Sequence, residues 1–164
     1  MIIMIIYTII SFLLDGLTSN FISSNSYFGT IYSVIALVII YNYFENDMKY
    51  LKILIPLGIL FDIVYTNTFV LNIFLFLCIY LIIKKINIYI VDNLITISIK
   101  SLLAITIYHI LSYLILLFAG YADYSFNLLL MILLKSIVMT IIYTTISYLL
   151  IKKIYYGKYF KKIK

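Results

Sequence analysis

Charge is what this chain has least of. Of its 164 residues, 11% are charged and 66% are hydrophobic, with a mean hydropathy of +1.19. A soluble globular domain carries about 25% charged residues, so this composition excludes that class and leaves a polytopic membrane protein. Arginine is missing altogether, and all 12 basic residues are lysine. Together with abundant Ile, Asn and Tyr, that is the codon bias of an AT-rich genome, and it discounts the aromatic content as a functional signal. A single cysteine, Cys78, excludes an internal disulfide, and its apolar setting makes it a small buried packing residue. A single histidine, His109, excludes a paired HExxH site, and neither GxSxG nor a P-loop glycine pattern occurs. No catalytic residues, metal site or cofactor are therefore expected.

What the chain has is apolar length. The stretch from Ile55 to Lys85 is nearly uncharged, and as one helix it would run to about 46 Å, well beyond about 30 Å of hydrocarbon. Lysine placement decides between one span and two. Lys49 and Lys52 precede the stretch and Lys84 and Lys85 end it, and loop lysines favour the cytoplasmic side. Two spans turning at Tyr65-Thr66-Asn67-Thr68 return both pairs to one face, so a helical hairpin with an external tip is expected.

Working outward, span one covers about Ile2 to Leu14, ends at Asp15-Gly16 and leads into an uncharged Ser/Asn-rich loop. It opens without a basic n-region and no small-residue cleavage site follows, so a removable signal peptide is not expected. Span two covers about Phe28 to Phe44, followed by a polar turn marked by Glu45, Asp47, Lys49 and Lys52. The hairpin supplies spans three and four. An interfacial INIYIVDN segment precedes span five, about Leu94 to Phe118, which Asp92 or Asn93 can N-cap. Span six covers about Phe126 to Ile151. The expectation is an all-α integral membrane protein with about six transmembrane helices in one domain, 1–151, a basic tail at 152–164, and both termini cytoplasmic. The loops at 15–27, 63–68 and 119–125 contain no lysine, as that topology requires.

Few polar residues interrupt the spans. Asp62 falls at the C-terminal end of an outgoing helix, where the macrodipole disfavours an acid, so a capping role is not expected for it. Reflection of the hairpin about Asn67 sets Asn72 opposite Asp62, within reach of an amide-carboxylate hydrogen bond, and Gly58 one turn earlier permits close helix approach. These three residues form the candidate structural or partner-binding polar site. Asp15 shares the C-terminal position but has Gly16 and a polar loop beside it, so exposure to solvent is expected. Asp123 precedes span six and suits an N-cap or first-turn role. Asp15, Asp62 and Asp123 all fall at or just beyond the outer ends of odd-numbered spans, although no convincing sequence repeat accompanies them.

His109 and Lys135 sit furthest from the ends of spans five and six and fall at one depth when reflected about Ala122. Two neighbouring cations would repel, so beside Lys135 His109 should be neutral. Both are intramembrane polar candidates, with snorkelling of Lys135 and a simple hydrogen-bonding role for His109 as the plainer alternatives. Ser136, Thr140, Thr144 and Ser147 recur at helical spacing and form a packing seam. Pro56 either kinks span three or sits in its first turn. In the tail, Lys152, Lys153, Lys158, Lys161, Lys162 and Lys164 alternate with aromatic residues and suit contact with anionic lipid, and not nucleic acid.

The hairpin sequence LGILFDIVYTNTFVLNIFLFLCIYLIIK resembles the rod shape-determining protein MreD family. The pattern is a glycine-containing helix, an aspartate, a short polar turn and an apolar helix beginning near an asparagine: here Gly58, Asp62, Thr66 to Thr68 and Asn72. LLDGLTSNF in span one also resembles short MreD-like proteins of low-GC Gram-positive bacteria. The chain departs from the pattern in having Gly58 alone before the aspartate and Phe69-Val70-Leu71 before Asn72. The resemblance implies a non-catalytic subunit of the cell-elongation machinery. Its implied partners are an MreC-like bitopic protein and, indirectly, MreB filaments and peptidoglycan synthases. It also implies a six-helix fold similar to the S-components of energy-coupling-factor transporters. The rival reading is a vitamin-binding S-component-like subunit, against which stands a first span without the small residues such subunits use for docking.

Overall fold

The structure, a computed structural model, describes residues 2–21, 31–44, 46–90, 93–120 and 126–160. Among these residues there are six α-helices and no strand: α1 (Ile2–Phe21), α2 (Tyr32–Tyr41), α3 (Asp47–Phe61), α4 (Leu71–Asn87), α5 (Leu94–Phe118) and α6 (Phe126–Phe160). Two of them, over Leu94–Phe118 and Leu129–Ile154, are long and apolar enough to cross a membrane by length and composition.

The short helix α2 is the centre of the bundle. Every residue from Ser33 to Ile40 is buried, and α2 packs against α1, α4, α5 and α6. A helix that is apolar all round has no face suited to water and must be enclosed. Its neighbours instead divide their surfaces. On α3, Leu54, Leu57 and Phe61 face the core while Ile55, Ile59 and Leu60 are exposed. Such large exposed apolar faces on α1, α3, α5 and α6 suit a hydrocarbon environment and not an aqueous one.

Several boundaries differ from expectation for local reasons. Helix α3 starts at Asp47, with the Asn46 side chain accepting from the Met48 amide. Lys49 and Lys52 therefore lie in the first two turns of a helix and not in a polar turn, and Pro56 is interior to α3 instead of in its first turn. Helix α1 runs on past Asp15 to Phe21. At the other end of the chain α6 continues to Phe160, so the first part of the expected tail prolongs the last helix. Cys78 is half-buried, less enclosed than expected. Asn93 caps α5 in a reciprocal capping box with Thr96. Asp92, Asp123, Lys161, Lys162 and Lys164 lie outside the described residues.

The lysine-bearing end of the bundle is held by polar and aromatic contacts. Tyr50 donates to the Leu37 carbonyl at 3.2 Å, and its ring meets those of Tyr41 and Tyr80. Lys84 pairs with Asp47 at 2.6 Å. Asn87 donates to Asn42 at 2.6 Å and accepts from Lys100, a lysine only 2% exposed.

The hairpin of α3 and α4 closes on Gly58. A Cβ there would lie 2.9 Å from Ile73 Cα and 3.1 Å from Ile73 N, so the two backbones touch and no side chain fits between them. Gly58→Ala is expected to force the helices apart and to cost about 1–3 kcal/mol, measured as a lowered unfolding midpoint in detergent; an unchanged midpoint would show that the helices part freely.

Candidate functional site

A helix that begins inside a low-dielectric region needs acceptors for its first amides, because each orphan there costs several kcal/mol. Two helices have no local means of supplying them. The N-cap of α2 is Ile31 and that of α4 is Val70, and neither makes a side-chain capping bond. In both cases the acceptor is an aspartate from the preceding helix.

Asp62 serves α4. Its Oδ1 accepts from the Asn72 backbone amide at 2.9 Å, from Asn72 Nδ2 at 2.9 Å and from Thr68 Oγ1 at 2.7 Å. The carboxylate is 3% exposed. Asn72 Nδ2 also donates to Thr66 Oγ1 at 2.9 Å, and Tyr108 of α5 donates to Asn72 Oδ1 at 2.5 Å. Three helices thus meet at one amide. The acid is misplaced for the dipole of α3 but well placed for the positive end of α4. It is a cap after all, on the helix that follows.

The connection bends to deliver it. Helix α3 ends in a π-helical turn, Asp62–Thr66, and the left-handed Asn67 (φ 49°) returns its amide to the Asp62 carbonyl. Asparagine tolerates that conformation better than most residues. Val70 also has positive φ, 70°, which a β-branched side chain adopts only under strain. Phe69 beside it is 99% exposed.

Asp15 serves α2 in the same way. Its Oδ1 accepts from the Tyr32 amide at 2.6 Å and its Oδ2 from the Ser33 amide at 2.9 Å. It is 7% exposed, which overturns the expectation of a solvated acid at a helix end: α1 continues past it and α2 starts against it. The two capped junctions lie side by side. Tyr65, in the π-helical turn after Asp62, donates to the Phe12 carbonyl at 2.6 Å and stacks its ring 4.7 Å from that of Phe12. Gly16 makes the space, since a Cβ there would meet Tyr65 Oη at 2.6 Å.

Below Asp15 the polar contacts continue between α1 and α6. Ser11 and the Tyr143 hydroxyl are 2.8 Å apart, and the Tyr143 ring packs edge-on against Tyr32 at 4.7 Å. Ser136, Thr140, Thr144 and Ser147 are buried, and the first three donate to carbonyls one turn back in α6. The hydroxyl donors of Ser136, Thr140 and Thr144 are thereby satisfied within α6, and the buried row suits a packing seam.

Of the sequence candidates, Gly58, Asp62 and Asn72 come together. His109 is half-buried and its ring lies 5.8 Å from that of Tyr108, while Lys135 is exposed. Lys152 and Lys153 are exposed at the end of α6, and Lys158 falls within that helix. The sequence reading missed Tyr108, Tyr65, Lys100 and the capping role of Asp15. One signal was present for Asp15: it precedes an apolar helix with no polar N-cap. The described residues include no group of three or more His, Cys, Asp or Glu able to hold a metal ion. No protein-family model, curated protein or solved structure matches the chain.

Equivalent roles imply similar costs. Asp15→Ala and Asp62→Ala should each destabilise the protein by about 3 kcal/mol, as lost charge-assisted caps leaving buried amides unpaired, whereas Asp62→Asn keeps an acceptor and should cost less. Thermal unfolding in detergent reads this, and a neutral Asp15→Ala would remove the parallel. At Val70 the sign reverses: Val70→Gly relieves about 1–2 kcal/mol of left-handed strain and should raise the midpoint, while a fall would mean that the turn is unstrained.

Proposed function

We propose that the chain is a non-catalytic scaffold subunit of the bacterial plasma membrane, with six spans and both termini cytoplasmic. In this reading it serves the cell-elongation machinery, binding an MreC-like bitopic protein and through it communicating with MreB filaments and peptidoglycan synthases. The fold would be that of the S-component-like six-helix bundle that the sequence resemblance implies.

One observation carries the reading. Of the residues on which the resemblance rests, Asp62, Thr66 to Thr68 and Asn72 are bound to one another in a single junction, and Gly58 packs against Ile73 beside it. Three of the four hydrogen bonds open to the Asn72 side chain are made there, with Asp62, Thr66 and Tyr108. A junction bonded largely within itself suits a scaffold, whereas the vitamin-binding alternative needs several free polar groups to orient a ligand, of which this junction offers one, the buried Asp62 Oδ2.

Five of the six helices have lengths compatible with a crossing. Helix α1, and α3 together with its π-helical turn, each give about 30 Å, α4 about 25 Å and α5 about 37 Å. At about 15 Å, α2 alone is too short for a whole bilayer. It is also the helix with no lipid-facing side.

Depleting the protein should round rod-shaped cells, and the tagged chain should co-purify with the MreC-like partner. Normal shape on depletion combined with tight vitamin binding would replace the scaffold reading with the transport one. Topology reporters fused at Asn67 and at Lys164 should report opposite sides of the membrane; the same side would end the six-span arrangement.

A further inference from the structure

Away from the capped junctions, a groove of about 210 Å³ runs between α1 and α3. Ile5 and Ile9 form one wall, Ile53, Pro56, Leu57 and Leu60 the other, with Thr8 at the base and Lys52 at one end. From Lys52 to Leu60 the groove follows α3 for about 12 Å. The walls are open to the outside: Ile9 is 50% and Leu60 48% exposed.

Its polarity is one-sided. Lys52 sits in the second turn of α3, at the end of the groove nearer Asn46, and is exposed, as is Lys49. A lysine on the apolar flank of a helix lays its stem along the hydrocarbon and lifts its ammonium toward the interface. Pro56 adds a second feature at the same end. Having no N–H, it cannot donate to the Lys52 carbonyl four residues back, so a cation and a carbonyl deprived of its usual helical donor stand together at one end of an apolar channel. Thr8 contributes nothing competing, since its hydroxyl donates within α1, to Met4 at 2.9 Å and Ile5 at 2.8 Å.

We infer that this groove is a binding site for one anionic glycerophospholipid: an acyl chain lies along Ile53, Pro56, Leu57 and Leu60, and the headgroup phosphate meets Lys52. Charge complementarity selects the occupant. A net charge of +6 on the chain and a lysine at the mouth favour an anionic headgroup over a zwitterionic one, and headgroup hydroxyls such as those of phosphatidylglycerol can donate to the Lys52 carbonyl. The inference rests on the membrane-spanning reading and goes beyond it, because ordinary boundary lipid needs neither the groove nor the lysine.

The test uses the full chain purified in neutral detergent, with phosphatidylglycerol and phosphatidylcholine of identical acyl chains added in parallel and retained lipid counted by native mass spectrometry. Phosphatidylglycerol should be retained in preference, with one high-occupancy molecule. Lys52→Ala should weaken that retention about fivefold, the loss expected for one lysine at an anionic surface. Ile9→Trp, which fills the groove from an exposed position, should abolish it, and Lys85→Ala, an exposed lysine of α4 that does not line the groove, should leave it unchanged. Equal retention of the two lipids, an indifferent Lys52→Ala, or competition by free inorganic phosphate as effective as the lipid would each overturn the site. Carbonate extraction of cell membranes separates the two levels: a chain that stays in the membrane yet shows no lipid preference sinks only this inference, whereas an extractable chain sinks the membrane reading as well.

Discussion

The backbone amides at the start of a buried helix must be given acceptors, and in this bundle that requirement determines which helix stands beside which. Helices α3 and α5 begin next to polar segments and are capped by their own neighbours, Asn46 and Asn93. Helices α2 and α4 begin behind Ile31 and Val70, which have nothing to offer. Each therefore borrows a carboxylate from the helix before it. An acceptor supplied from that distance does more than a local cap: it fixes the angle and depth at which two helices form a hairpin, and it turns the cost of burying an acid into the means of satisfying a helix end.

The two hairpins are then joined by tyrosines. Tyr65 ties the Asp62 turn to α1 beside Asp15, and Tyr108 ties Asn72 to α5. The pairing of Asp15 with Asp62 was visible in the sequence only as a coincidence of position. Its meaning lies in the amides they reach, and backbone amides leave no mark in a sequence. Asp62 and Asn72 were legible because a hairpin is symmetric about its turn and one reflection brings them together. Asp15 was misjudged because its partners belong to a helix whose start could not be located behind an uncharged Ser/Asn-rich loop. Tyr108 was hidden by abundance: among 18 tyrosines, a buried one with a hydrogen-bonding duty looks like any other.

Helix existence was more legible than helix ends. Apolar runs gave the number and order of the helices, but the lysines that marked loops in the sequence are helical in fact. Lys49 and Lys52 lie in α3, and Lys152 and Lys153 continue α6. Long lysine stems reach an interface from within a helix, so a lysine limits the depth of a span without ending it. That latitude is what leaves Lys52 standing at the end of the α1–α3 groove.

The central claim is that Asp15 and Asp62 each cap the helix that follows. Amide hydrogen exchange at Ser33 and Asn72 tests it most directly, because these first-turn amides have no intrahelical partner and only the carboxylates protect them. Asp62→Ala should accelerate exchange at Asn72 while leaving Ser33 slow, and Asp15→Ala should do the reverse. Fast exchange at both amides in the unmodified protein, or slow exchange that neither substitution alters, would contradict it.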